Sequence, residues 1–439
     1  MGAIVSAPML ANYFQHLQEF STLRWEGSVN KVIGQIVESD GPVCSVGEAC
    51  EITDQDGNCF PGEIVGFRGQ TVLSMPLDKP SGIRFGDRIF TWGSTPSVGV
   101  GPELLGRVLD GNLKPIDGLG PCMPAGTWHL DHAAPSPMSR VPIRLPIACG
   151  IRAIDGFLSC GRGQRIGIFG GSGVGKSTLI GMMTRGTAAD LTVLALVGER
   201  GREVGEFVDM LGPEGRARSV VVASTSDQSP LLRIRAAMAA TAVAEYFASR
   251  GKNVLLVVDS LTRFAMAQRE IGLAAGEPPT AKGYTPSCWT LLAQLVERAG
   301  QFNQGSVTAF YTVLMEGDDQ QDPLVDAVRS LVDGHIMLDR KMAIQGHYPP
   351  ISILDSISRL MSAVAEPVHL HCAQEIRRLL AAYARSEDLI RVGAYQKGAD
   401  PVLDKALTLL PAINAILQQK RDDKSTFEQT LDALKALPL

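Results

Sequence analysis

Long apolar runs, paired cysteines and an excess of positive charge are all missing from this chain of 439 residues. No apolar stretch approaches the roughly 18 residues of a membrane-crossing helix. Val254–Val258 and Val220–Val222 have the length of core strands. The beginning of the chain lacks a basic start, a long apolar stretch and a small-residue cleavage site, so no secretory signal is expected. The eight cysteines are scattered, with no CxxC spacing, and read as reduced, buried thiols of a cytosolic protein. That pattern also argues against zinc, and His369 with His371 reads as a helix start. A net charge of -5 argues against a nucleic-acid surface.

What the chain does have is length, apolar mass and glycine. At about 100–200 residues per domain, two to four domains are expected. An apolar share of 45% is enough for large cores. Glycine stands at 46 of 439 residues, above the usual share of about 7%, and points to tight turns or backbone lying close to a ligand.

Four regions follow from the patterning. Leu10, Tyr13, Phe14, Leu17 and Phe20 form a helical stripe within residues 1–25, a segment expected to pack on its own domain or dock on a partner. Residues 26–95 hold short Val/Ile-rich strands, Val29–Val37, Cys50–Thr53, Gly62–Phe67, Gln70–Ser74 and Arg88–Trp92, which predict a small barrel or sandwich. A Gly/Pro-rich connector over 96–150 leads into strands alternating with helices up to 365, the signature of a mainly parallel sheet covered on both faces. Residues 366–439 read as a separate helical domain.

Gly170-Gly171-Ser172-Gly173-Val174-Gly175-Lys176-Ser177, with Thr178 next, fits G-x-x-x-x-G-K-[ST] between the apolar strand Ile166–Phe169 and a helical run. That is the context a phosphate-binding loop requires. Its glycines let backbone wrap an anion, and the helix N-terminus points amides at it. Lys176 is expected on the β- and γ-phosphates of ATP, and the Ser177 hydroxyl on Mg²⁺. Val254-Leu255-Leu256-Val257-Val258-Asp259 places a carboxylate at the end of another core strand, suited to the same ion. Glu199, directly after the strand Leu191–Val197, is the expected water-activating carboxylate. Glu203 and Glu206 fall in the following helix and are expected to face solvent or an interface.

These motifs resemble the catalytic subunits of rotary ATP synthases, as does Leu104–Gly111 followed by Pro115–Gly118. Asp259–Glu270 and Gly276-Glu277-Pro278-Pro279-Thr280-Ala281-Lys282-Gly283-Tyr284-Thr285-Pro286 narrow the resemblance to the ATPases of type III protein export, flagellar and injectisome alike. The resemblance covers essentially everything after about residue 25. It implies a RecA-like P-loop NTPase core of mainly parallel sheet, an N-terminal small β-barrel and a C-terminal helical domain, in the α/β class.

It further implies that Tyr348 packs on adenine and that Arg359 is an arginine finger donated to a neighbouring copy. Arg200 becomes an additional phosphate-sensing cation, and Gly276–Thr285 the loop facing a ring's central opening. Cys288-Trp289-Thr290 and Ala293-Gln294 depart from the usual family pattern and leave the details of that pore side open. Because one chain carries both carboxylate and finger, a homohexamer hydrolysing Mg-ATP is expected. Implied partners are a peripheral-stalk-like regulator on the N-terminal helix, a central coiled-coil stalk-like protein, the export gate, chaperones and export substrates. Peripheral association with the cytoplasmic face of the inner membrane is implied as well. Ser386–Tyr395 looks more like the flagellar branch. The alternatives are an injectisome ATPase, a noncatalytic rotary-type subunit, or a ring-shaped nucleic-acid motor, against which the acidic composition stands.

Overall fold

In the computed structural model, residues 23–439 are described except 316, 318 and 320. The N-terminal stripe from Leu10 to Phe20 lies outside the described residues.

Alternating side chains close the first region into an antiparallel barrel. Its strands are β1 (Trp25–Ile33), β2 (Ile36–Asp40), β3 (Ala49–Thr53), β4 (Cys59–Arg68), β5 (Thr71–Pro76) and β6 (Arg88–Thr91), in the order β1-β2-β5-β4-β3-β6. Val29, Val37, Ile52, Ile64, Val72 and Ile89 fill its centre. Where one strand was expected over Val29–Val37, the structure has a hairpin, with Ile33 paired to Ile36. Only Gly34 and Gln35 separate the apolar pairs Val32-Ile33 and Ile36-Val37, too short a break to split the run by eye; Gly34, at φ 60°, supplies the left-handed residue that the reversal needs.

The main path of the large sheet is built from β7 (Val108–Leu109), β8 (Arg165–Gly170), β9 (Leu191–Glu199), β10 (Ser219–Thr225), β11 (Asn253–Asp259), β12 (Ser306–Leu314), β13 (Gly334–Leu338) and β14 (Ile351–Ser358). They lie in the order β14-β13-β8-β12-β11-β9-β10-β7. All neighbours pair parallel except β13 with β14. Continuous apolar runs such as Val254–Val258 suit strands buried on both faces. The helices around them include α1 (Arg152–Phe157), α2 (Lys176–Gly186), α3 (Gly201–Ala217), α4 (Pro230–Ser249), α5 (Leu261–Ala275), α6 (Pro286–Glu297) and α7 (Pro323–Leu331). The longer helices that follow the sheet are α8 (Pro367–Arg391), α9 (Pro401–Leu417) and α10 (Phe427–Lys435). Among the described residues, no helix is long and apolar enough to cross a membrane.

Helix α4 is buried along nearly its whole length because alanines at 236, 237, 239, 240, 242, 244 and 248 bring it close to the sheet. Its one deep charge, Glu245, is met by Arg298 through Nε–Oε1 and Nη2–Oε2 contacts of 2.7 and 2.8 Å. The Trp128 indole donates to the same carboxylate at 2.9 Å, and Arg298 donates to the Leu130 carbonyl at 2.6 Å. The network pins the connector onto the core. Arg298→Ala strands the Glu245 charge in the interior, and chemical denaturation is expected to record a loss of about 3–5 kcal/mol. A loss below about 1 kcal/mol, the level of an exposed pair, would contradict that reading.

Candidate active site

Parallel strands deliver their C-terminal ends to one edge of a sheet, and here β8, β9 and β11 deliver three pieces of chemistry. Strand β8 runs into the loop Gly170–Gly175, which feeds helix α2. Gly175 caps that helix at φ 99°, a conformation that side chains resist. Gly170 is needed for a different reason: a Cβ there would come within 2.9 Å of the Leu338 Cβ on β13. Val174 is buried and anchors the loop, while Ser172, Gly173 and Ser177 are exposed. The Lys176 ammonium folds back across the loop, donating to the Gly170 carbonyl at 2.9 Å and the Gly171 carbonyl at 3.3 Å. Burial holds its pKa below the ordinary lysine value, against the pull of Asp259 and Glu199.

Ser172, Lys176, Ser177, Glu199 and Asp259 open on one cavity of about 390 Å³. Asp259 is 6% exposed. Burial raises its pKa, opposed by the Thr312 hydroxyl, which donates to Oδ1 at 2.5 Å. Glu199 is pushed up to about 8, first by burial, then by a hydrogen bond with Glu203 and the charge of Asp259. Anionic groups are thus crowded beside a cationic loop, as a site for a polyphosphate and a divalent ion requires.

The rest of the neighbourhood departs from expectation in two places. Glu203 does not point away: one turn into α3, it lines the same cavity and helps to raise the pKa of Glu199. Helix α3 starts directly beyond the strand end, which turns its first turn back over the site. Glu206 is 60% exposed and pairs with Arg202. Arg200 also borders the cavity, largely exposed, with a 3.7 Å contact to Glu203. Arg263 was not singled out from the sequence, yet it borders the cavity too. Ser260 caps α5 by accepting from the Arg263 N–H, so the cap following Asp259 was the available signal.

A second cavity, of about 600 Å³, adjoins the first, with Gly175 and Thr178 lining both. Tyr348 stands in it, 49% exposed. A Cβ at Gly175 would lie 3.9 Å from its ring. The flat, half-open ring next to a phosphate-type loop is suited to stacking on a base. Pro349, Gln418 and Arg421 complete the walls.

Arg359 is not brought to this edge. It follows β14, whose Ser358 pairs with Gly334 at the start of β13, and its backbone N–H reaches the Asp333 carbonyl at 3.0 Å. The Asp333 carbonyl also accepts from the Gln164 side-chain amide at 3.2 Å, and its carboxylate accepts from the N–H of Arg165, where β8 begins. The length of β8, roughly 17 Å at 3.3 Å per residue, therefore separates Arg359 from the loop of its own chain. Its guanidinium is exposed.

A hydroxyl and a carboxylate are hard oxygen donors, so Ser177 and Asp259 fit a Mg²⁺ ion whose other ligands come from phosphates and water. Among the described residues, no group of three His, Cys, Asp or Glu side chains is arranged to hold a metal unaided.

Comparison with known proteins agrees with this fold. Residues 150–358 match the nucleotide-binding domain of the ATP synthase alpha/beta family, and residues 29–90 its beta-barrel domain. Residues 365–436 match the C-terminal domain of the type III secretion ATPase EscN. The flagellum-specific ATP synthase of Bacillus subtilis is 48% identical, with 94% of each chain covered. The type 3 secretion system ATPase of Xanthomonas euvesicatoria is 46% identical over 99% of each. The assembled ATPase EscN of enteropathogenic E. coli, also solved in complex with its central stalk EscO, superposes with a TM-score of 0.89. That match has 42% identity and covers 93% of this chain and 99% of EscN. Similarity of this extent places the chain in the family of flagellum-specific and type III secretion ATPases, and it is an ATPase of that family.

Proposed function

We propose that this chain hydrolyses Mg-ATP as one member of a homohexameric ring serving flagellar type III export, and that each active site is shared between neighbours. The observation that carries the reading is the separation just described: loop, carboxylate and base cavity lie at one edge of the sheet, and the exposed Arg359 at the other. A ring of identical copies brings the two edges together.

In this reading the Gly170–Gly175 backbone and Lys176 hold the phosphates, Thr178 lines the passage to the base, and Tyr348 stacks on adenine. Ser177 and Asp259 hold Mg²⁺, which when bound neutralises charge on the phosphate oxygens. Glu199 accepts a proton from the attacking water, with Glu203 setting its basicity. Arg359 of the next copy offsets charge growing on the transferred group, and Arg200 and Arg263 add cationic field around it. A glutamate at 199 favours turnover over a purely regulatory subunit.

The working units are 26–95, 96–365 with its connector, and 366–439. The EscN–EscO complex supports a central stalk partner for this chain. The peripheral-stalk-like regulator at residues 1–25, the export gate, chaperones and cargo, and attachment to the cytoplasmic face of the inner membrane, belong to the same proposal. Ser386–Tyr395 favours the flagellar over the injectisome branch. The direct test measures ATPase activity per chain against protein concentration, with particle size followed in parallel. Specific activity is expected to rise steeply as rings form. Full activity in a monodisperse monomer would end the shared-site reading.

A further inference from the structure

Gln419 lies outside the phosphate loop and the catalytic carboxylate, in the connection between α9 and α10, yet it is 3% exposed and fully engaged. Its side-chain oxygen accepts from the Arg152 N–H at 2.9 Å, at the start of α1. Its amide nitrogen donates to the Gly150 carbonyl at 2.9 Å and to the Asp423 carbonyl at 3.1 Å. With the side chain held in that way, the backbone N–H of residue 419 donates to the carbonyl of Tyr348 at 2.8 Å. Gly150 in turn packs directly on Gly186, the last residue of α2, where a Cβ on Gly150 would meet the Gly186 Cα at 2.6 Å. Around it, Arg152 donates to the Ile416 carbonyl at 2.9 Å and to that of Gln418, and Gln418 meets His347 Nδ1 at 3.3 Å.

One buried amide therefore joins three pieces: the strand–helix turn braced on the end of α2, the connection from the C-terminal helices, and the residue whose ring faces the base cavity. We infer that Gln419 is a positioning residue for nucleotide affinity, holding Tyr348 at the mouth of the base cavity and tying that ring to the C-terminal helices. The inference rests on the reading that this cavity takes the adenine. It assigns Gln419 no part in the chemistry of the phosphates. An amide is suited to the task because it offers an acceptor and two donors from one rigid plane, and all of them are used. Truncation leaves the Arg152 N–H and the Gly150 carbonyl without these partners in a buried place, and the connection loosens.

Calorimetry on the full chain separates this role from general support of the fold. Two ligands are compared, ADP and inorganic tripolyphosphate, the second lacking a base. Gln419→Ala is expected to weaken ADP about fivefold or more, the equivalent of one or two lost hydrogen bonds, while tripolyphosphate stays within about twofold. In a Tyr348→Ala background the same change is expected to cost less than about twofold, because the two residues act through one contact. In turnover, KM for ATP is expected to rise by more than kcat falls. Gln419→Glu, which keeps the acceptor and the volume but loses the two donors, gives an intermediate loss and serves if the alanine variant does not fold. Equal weakening of both ligands, or an undiminished effect in the Tyr348→Ala background, would overturn the inference. Tyr348→Ala binding ADP normally would remove the base-cavity reading and this one with it. A loss with Tyr348→Ala and none with Gln419→Ala or Gln419→Glu would sink the Gln419 role alone.

Discussion

Mixing two inactive variants, Arg359→Ala and Glu199→Gln, is expected to restore ATP hydrolysis that neither shows alone. Arg359→Ala removes the cation from the edge of the sheet remote from its own loop. Its own nucleotide cavities are untouched, so nucleotide binding should stay within a few-fold. Turnover should fall by about 10³ or more, the scale on which an arginine finger acts. In rings of mixed composition, a site formed by the loop of an Arg359→Ala copy and the edge of a Glu199→Gln copy has every part. Random mixing places roughly a quarter of the sites in that arrangement. Activity in the mixture, measured against each variant at the same total concentration, is therefore the signature of a shared site. Complementation fails if both residues serve one chain, since each defective site is then beyond repair from outside. A mixture no more active than its parts, with rings verified by size, would falsify the shared arrangement.

The second large effect belongs to Glu199 itself. Glu199→Gln keeps the shape and removes the base, so turnover is expected to fall by roughly 10²–10⁴. ATP binding is expected to hold or tighten, because burial and the neighbouring Glu203 and Asp259 already disfavour a carboxylate charge there. The same crowding sets the pH dependence. A base with its pKa raised to about 8 is active only when deprotonated, so kcat/KM should fall as pH drops through that value. Glu203→Gln removes a hydrogen bond and a charge that both raise the Glu199 pKa, and the acid limb should move to lower pH. An acid limb that stays in place in Glu203→Gln would mean that Glu199 is not the group being titrated. Binding without cleavage in Glu199→Gln also distinguishes a lost catalyst from a lost fold, because a misfolded site loses both.

Residue order is enough for the elements that carry their own local signal. The loop Gly170–Ser177 is legible because its glycines, two of them at positive φ, recur at a fixed spacing between a strand-like run and a helical one. Asp259 and Glu199 are legible because each ends an apolar run buried on both faces, and parallel strands all release their chains at one edge. The helical C-terminal region follows from the absence of strand-like runs after Pro367. Local pattern failed where the break was short: the Val/Ile-rich run Val29–Val37 continues across a reversal that needs only Gly34 and Gln35.

Whatever depends on which distant residues meet is set by packing. Glu203 reads as a helical acid facing solvent or an interface until the fold sets the first turn of α3 beside the cavity. Gln419 has no motif at all; its role arises because a turn near residue 150, Tyr348 and the α9–α10 connection converge on one amide. The side of the sheet on which Arg359 lies is likewise a property of strand order, fixed when β14 pairs antiparallel to β13. Spacing along a chain encodes the period of a helix or strand, but not the through-space distance between residues hundreds of positions apart, which packing alone sets.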